Sequence, residues 1–115
     1  MHELSIAQAI LDRVAVEAER HPTARFTKVG VRIGELAGVD PEALSFGFEV
    51  LVKDTPWDPL ALEIQFLPRM QRCPGCGREF PAPDSATTCP QCGNLATLCI
   101  GGEELDIAYM EVEEP

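Results

Sequence analysis

Four cysteines in two short, nearly identical stretches carry the clearest chemical signal in the sequence. The stretches are CPGCG, residues 73–77, and CPQCG, residues 89–93. Two thiolates three positions apart on a tight turn can bind one ion at tetrahedral angles, with Zn–S bonds of about 2.3 Å. The glycine after each second cysteine permits a positive φ, so that backbone N–H groups point at the sulfurs. The doubled spacing predicts one metal site with the ligands Cys73, Cys76, Cys89 and Cys92.

We expect the ion to be zinc in a structural role. Four thiolates complete the coordination shell of zinc and leave no position for a catalytic water. The surrounding residues 70–101 are rich in Pro and Gly, and so short a segment has too little core to fold without a metal. Iron is the alternative, because rubredoxin-like proteins also use paired C-P-x-C-G stretches. Those pairs lie farther apart and have more aromatic residues nearby than Phe80 alone provides.

The opening residues Met1-His2-Glu3 predict a second, different metal site. The Met1 amine, the His2 amide nitrogen and the His2 Nδ1 close adjacent five- and six-membered chelate rings, and the Glu3 amide supplies a fourth nitrogen. Four nitrogens in one plane suit Ni(II) and Cu(II) better than Zn(II). Binding should strengthen as pH rises, because the amides must lose protons. The competing interpretation is that His2 is a surface residue near a fraying terminus.

For two further residues of types that can bind metals, we expect structural roles instead. Cys99 has no charged neighbour in the sequence that would activate its thiol, so we expect a small buried apolar residue. His21 follows the first predicted helix without a chelating spacing around it, and we expect it to interact with the helix dipole. The stretch IGELAGV, residues 33–39, is equally consistent with a partner surface and with a glycine-framed turn.

Helical periodicity predicts two helices with a strand between them. The first helix begins at Ser5, a predicted N-cap paired with Gln8, and ends at about Arg20. The second helix begins after the predicted cap Asp40. The apolar residues expected to face a core are Leu4, Ala7, Ile10, Leu11, Val14 and Ala18 in the first helix, Val29, Val31 and Ile33 in the strand, and Leu44, Phe48 and Leu51 in the second helix.

Two alternating segments flank the cysteines, at residues 60–66 and 105–109. The simplest arrangement makes them neighbouring strands of one sheet, with the cysteine module inserted between them. The sequence thus predicts an α+β fold in which two helices pack on a roughly three-stranded sheet, with an inserted zinc-ribbon-like four-cysteine module. We expect one α+β domain from residues 1–69 and 102–115, and a zinc-binding domain from residues 70–101.

Composition excludes several classes of function. The 115 residues are 45% hydrophobic and carry a formal net charge of −10, which indicates a globular protein and argues against nucleic acid as a partner. The absence of a long apolar run or a secretory signal, together with the cysteine spacing, predicts a cytoplasmic protein without membrane contact. With no GxxxxGK[ST] loop and only two histidines, we do not expect an enzyme.

Three stretches together resemble the HypA/HybF family of nickel-incorporation proteins of [NiFe]-hydrogenase maturation. They are MHELSIAQ, VRIGELAGVDPEALSFGFEV and the doubled CPxCG, in order over nearly the whole chain. The resemblance implies that His2 is the nickel ligand, supported by Glu3, and that the four cysteines hold zinc in a separate small domain. It also implies two partners, a HypB-like GTPase and the hydrogenase large subunit, with urease served in some organisms.

The sequence leaves two functions to be compared. The favoured one is a non-catalytic nickel metallochaperone that binds Ni(II) at its N-terminus, through the Met1 amine, His2 and Glu3, and helps to insert it into [NiFe]-hydrogenase. The alternative is a zinc-ribbon protein-interaction module without nickel delivery. The sequence does not decide whether the chain forms a homodimer. Stoichiometric nickel binding that depends on His2 is required only by the first function.

Overall fold

The computed structural model describes residues 2–83 and 87–115. The helices are α1 (Glu3–Arg20) and α2 (Pro41–Val52), and the strands are β1 (Arg25–Gly34), β2 (Ala61–Leu67), β3 (Met70–Arg72), β4 (Glu79–Pro81), β5 (Leu98–Gly101) and β6 (Leu105–Glu113). A short 3₁₀ turn, Glu35–Ala37, joins β1 to the loop before α2. Within the described part of the chain, neither helix combines the length and the apolar character needed to cross a bilayer.

The larger sheet has the strand order β2-β1-β6. β1 pairs in parallel with β2, where Gly30 lies opposite Glu63, and antiparallel with β6, where Gly30 lies opposite Tyr109. The two strands that flank the cysteine segment therefore share one sheet, but the expectation that they are neighbours is wrong. Burial agrees with this order, because Val29, Val31 and Ile33 of β1 are almost fully buried whereas the residues of β2 and β6 are half-buried or exposed. A central strand lies farther from solvent than the strands at the edges of the sheet.

Both helices pack on the same face of the larger sheet. The buried side chains of this core are Ala7, Ile10, Leu11, Val14, Phe26, Val29, Val31, Ile33, Val39, Leu44, Phe48, Val52 and Leu60. They include most of the predicted apolar positions, while Ala18 and Leu51 are partly buried against them. Leu4 is the exception and remains 56% exposed. It lies beside Gly47 of α2, which has no side chain to cover it.

The two helices begin in different ways. Asp40 caps α2 as predicted, because its Oδ1 accepts hydrogen bonds from the Glu42 and Ala43 N–H groups at 3.0 and 3.3 Å. The predicted capping box at Ser5 is wrong, since α1 already begins at Glu3. The Gln8 side chain donates along the helix to Asp12. The residue before α1, His2, occupies the N-cap position without a side-chain hydrogen bond to the helix.

The other face of the larger sheet carries polar side chains that pair across strands. Arg32 donates two hydrogen bonds to Asp106, at 2.9 and 2.7 Å. The ring of Tyr109 lies over Gly30, where an added Cβ would stand 2.1 Å from the ring's Cε1. The Tyr109 hydroxyl reaches past β1 and donates a hydrogen bond to Glu63 on β2. Gly30 is thus required so that a side chain from β6 can contact one from β2.

The smaller sheet is antiparallel, with the order β4-β3-β5, and belongs to the cysteine module. Its buried apolar cluster consists of Cys73, Phe80, Ala82 and Cys89. Gln71 is also buried, accepts a hydrogen bond from Arg69 Nε at 3.0 Å and donates one to Thr97 Oγ1 at 2.9 Å. The predicted class, α+β with a zinc-ribbon-like four-cysteine module, is confirmed.

Candidate metal centres

The two cysteine stretches form the same turn twice. Cys73 N donates to Arg78 O at 2.9 Å, and Gly77 N donates to Cys73 O at 2.8 Å. The second turn repeats both bonds, from Cys89 N to Asn94 O and from Gly93 N to Cys89 O, each at 2.9 Å. Gly77 and Gly93 have φ values of 79° and 78°, as the sequence predicted for the glycine of each turn.

The four sulfurs converge on one point. The Sγ atoms of Cys73, Cys76, Cys89 and Cys92 all lie within 4.8 Å of one another. The Cys73–Cys92 and Cys76–Cys89 Sγ separations are 3.4 and 3.6 Å. Sulfurs bound tetrahedrally at the Zn–S distance of about 2.3 Å stand about 3.8 Å apart, so the arrangement fits a four-coordinate thiolate site after small side-chain adjustments.

Backbone N–H groups stabilise negative charge on the two buried sulfurs. The Cys76 N–H donates to Cys73 Sγ and lowers the pKa of Cys73 to about 6. The Cys92 N–H likewise lowers the pKa of Cys89. At Cys92 the Asn94 N–H acts in the same direction, but hydrogen bonding to Cys73 and burial outweigh it and raise the pKa to about 12. The crowded sulfurs cannot all ionise alone, and a bound dication relieves that repulsion.

The N-terminal candidate site is described in part. His2 is exposed and has an extended backbone, with φ −92° and ψ 92°, immediately before α1. Glu3 is the first helical residue, so its N–H lies among those that the helix leaves without an intrahelical acceptor. The third predicted nickel ligand, the Met1 amine, lies outside the described residues.

Glu3 has a contact that sequence reasoning missed. The Asp40 N–H donates to Glu3 Oε2 at 3.2 Å. This bond, followed by one from the N–H of Glu3 itself, lowers the pKa of Glu3 and keeps it ionised. The loop before α2 thus holds the side chain of Glu3, the residue next to His2. No sequence pattern could reveal this bond, because it joins residues far apart in the chain, and Asp40 was recognisable only as a helix cap.

Cys99 and His21 lie apart from the sulfur cluster. Cys99 is exposed on β5, and its Sγ faces Gly101 O at 3.5 Å. The expectation that Cys99 is buried is wrong, because β5 is an edge strand whose residues 98–100 are all exposed. His21 is the C-cap of α1, and its N–H donates to Ala18 O. His21 therefore lies at the end of α1, as the sequence predicted.

Comparison with known proteins identifies the family. Residues 1–112 match the family model described as "Hydrogenase/urease nickel incorporation, metallochaperone, hypA". The chain belongs to the HypA family. It is 40% identical over 113 residues to the hydrogenase maturation factor HypA of Alkalilimnicola ehrlichii, covering 98% of this chain and 100% of that one. It is 43% identical over 117 residues to the hydrogenase maturation factor HypA of Solidesulfovibrio magneticus, again covering 98% and 100%.

Solved HypA structures share the fold. The solution structure of the nickel metallochaperone HypA from Helicobacter pylori superposes with a TM-score of 0.64 at 20% identity, over 100% of both chains. A second solution structure of a HypA protein gives a TM-score of 0.67 at 22% identity, over 98% of this chain and 97% of that one. At these identities the likeness concerns the fold.

Proposed function

We propose that this HypA family member is a nickel metallochaperone that binds Ni(II) at its N-terminus and helps to insert it into [NiFe]-hydrogenase. The observation that carries the proposal is the match to the nickel-incorporation family over residues 1–112, which includes the Met-His-Glu opening. The proposed ligands are the Met1 amine, His2 and Glu3. Urease, which the family description also names, is a second recipient to test.

The position of His2 supports this assignment. Its side chain is exposed, and its backbone precedes the first turn of α1, so that the imidazole is open to an ion and to a receiving protein. The ionised Glu3 carboxylate adds negative charge beside it. The positive end of the α1 dipole acts against a bound cation, which favours a site that also releases its nickel.

Zinc is the ion that we propose for Cys73, Cys76, Cys89 and Cys92. Four convergent sulfurs with donated N–H groups suit a closed tetrahedral site, in which zinc supplies stability and no open coordination position. The buried cluster of the module is small and contains two of the ligands, so its folding should depend on the metal. With this role, residues 70–101 form a zinc-binding domain, and residues 1–69 and 102–115 form the nickel-binding domain.

A HypB-like GTPase and the nickel-free hydrogenase large subunit are the partners that we propose in the cytoplasm. The relatives' role as hydrogenase maturation factors supports this choice. The net charge of −10 disfavours a nucleic-acid partner. A homodimer is a further proposal, to be tested by the mass of the chain in solution. The protein acts as a carrier and not as an enzyme.

Metal analysis of the untagged chain before and after exposure to nickel tests the proposal. The purified protein should be colourless with about one zinc per chain, and should retain it while acquiring one nickel. The Cys73→Ala variant should lose zinc and keep nickel binding. Red protein would indicate iron in the cysteine site. A chain that keeps its zinc, takes up no nickel and recovers no maturation factor in a pull-down would instead be a zinc-ribbon interaction module.

A further inference from the structure

The chain crosses twice between the larger sheet and the cysteine module. The incoming crossing, residues 68–69, joins β2 to β3, and the outgoing crossing, residues 102–104, joins β5 to β6. Both crossings contact the residues where β1 ends and the 3₁₀ turn begins, Gly34–Leu36. One short stretch therefore touches both connections of the module.

Backbone bonds and close packing hold the outgoing crossing. Gly34 N donates to Glu104 O at 2.8 Å, and Leu36 N donates to Gly102 O at 2.6 Å. An added Cβ on Gly34 would stand 2.1 Å from Gly102 O, so no larger residue fits there. Gly102 has a φ of 118°, and a Cβ on it would stand 2.9 Å from Arg69 Cα. The two crossings thus lie directly against each other and against the end of β1.

A side chain holds the incoming crossing. Glu35 Oε1 accepts a hydrogen bond from Arg69 N at 3.0 Å. On its other side, Arg69 O accepts a hydrogen bond from Ala82 N, just after β4, at 2.8 Å. Arg69 is consequently bound to the larger sheet through Glu35 and to the module through Ala82. A carboxylate acceptor makes such a bond stronger than a neutral one would be.

We propose that Glu35 is a positioning residue, whose carboxylate fixes the orientation of the cysteine module relative to the helices and the larger sheet. The backbone bonds at the outgoing crossing fix one connection of the module. The Glu35–Arg69 bond fixes the other connection, and so prevents the module from rotating about the outgoing crossing. The loop that continues from the 3₁₀ turn ends at Asp40, whose N–H holds Glu3. If the proposed function holds, the Glu35–Arg69 bond therefore sets the position of the cysteine module relative to the proposed nickel site at the N-terminus.

Residual dipolar couplings of backbone N–H groups in the zinc-loaded full chain test this role. One alignment tensor should fit both the larger sheet and the module in the native protein. Glu35→Gln keeps an acceptor oxygen at the same reach and should preserve the common tensor. Glu35→Ala removes the acceptor, and Glu35→Asp shortens its reach by about 1.5 Å, so each should give separate tensors. Glu49→Ala, at an exposed acid of α2, is the matched control and should behave as the native chain.

Three results would overturn the proposal. They are a common tensor in either Glu35→Ala or Glu35→Asp, separate tensors in Glu35→Gln, and separate tensors in the Glu49→Ala control. If Glu35→Ala does not fold, Glu35→Asp, which keeps the charge, decides alone. The measurement needs no nickel. A chain that fails to bind nickel would therefore overturn the proposed function and leave the result on Glu35 standing.

Discussion

The hydrogen bond between Tyr109 and Glu63 provides a direct test of the strand order. The two residues lie on β6 and β2, the outer strands of the larger sheet, and both stand opposite Gly30 of the central strand. Adjacent strands are about 4.8 Å apart, so the backbones of β2 and β6 are about 10 Å apart, and the two side chains together bridge this distance across β1. The bond is possible because Tyr109 lies over the glycine. No other strand order among the three brings these two side chains together over Gly30.

The bond predicts an unusual titration of Tyr109. Glu63 accepts a hydrogen bond from the Tyr109 hydroxyl and thereby stabilises the neutral phenol; together with burial and the nearby Glu111 charge, this raises the pKa of Tyr109 to about 12. The ordinary value is about 10, so Glu63→Gln should lower the pKa by about one to two units. Gly30→Ala should act in the same direction by displacing the ring. Glu111→Gln, which removes only a more distant charge, should have a smaller effect.

Tyr109 is the only tyrosine of the chain, so phenolate absorbance near 295 nm reports on it alone. Circular dichroism at each pH shows where the chain is still folded. The raised pKa adds stability that is complete below the unfolded value of about 10 and is lost as pH rises towards 12. If Tyr109 titrates near pH 10 in the folded protein, or if Glu63→Gln leaves its pKa unchanged, the register described for β2, β1 and β6 is wrong.

Three further predictions concern the core, a cysteine turn and an ion pair. Phe48→Ala removes a side chain that is 1% exposed, and should lower the free energy of unfolding by about 3–5 kcal/mol in urea denaturation, whereas a loss below about 1 kcal/mol would contradict its place in the core. Gly77→Ala forces a side chain to φ 79° at a strain of about 1–2 kcal/mol, so a chelator competition should show about tenfold weaker metal retention, and unchanged retention would contradict the turn. The Arg32 hydrogen bond lowers the pKa of Asp106, so stability gained from this pair is present above the unfolded pKa of about 3.9 and is lost as pH falls through the lower folded value. Acid denaturation should therefore begin at higher pH in Arg32→Gln than in the native chain. Identical acid transitions in the native chain and the variant would exclude a contribution of the Arg32–Asp106 pair to stability.

Local patterns were sufficient to predict the cysteine turns and the start of α2. The glycine conformation at Gly77 and the Asp40 cap depend on residues within a few positions, and the structure confirms both. The apolar periodicity of α1 also identified most of its buried face. The capping pattern at Ser5 failed, because the N-cap is His2 and the helix therefore begins three residues earlier than that pattern requires.

Features that depend on partners distant in sequence were not predictable in this way. The exposure of Leu4 follows from a glycine on α2, and the exposure of Cys99 from the position of β5 at a sheet edge. The central position of β1 depends on its pairing with both β2 and β6, which lie far from it in the sequence. The bond that Glu3 accepts from Asp40 N–H and the one that Glu35 accepts from Arg69 N–H each join residues more than thirty positions apart, and such bonds leave no trace in side-chain spacing.

The proposed nickel site is tested most directly by calorimetric titration of Ni(II) into the untagged, zinc-loaded chain and two histidine variants. The chain has only two histidines, so His21→Ala, at the end of α1, is the matched control for His2→Ala. The native chain and His21→Ala should each bind one nickel, more tightly as pH rises, while His2→Ala should show no binding and retain its zinc and fold. Nickel affinity that is unaltered in His2→Ala would contradict the proposed site and the delivery mechanism that depends on it.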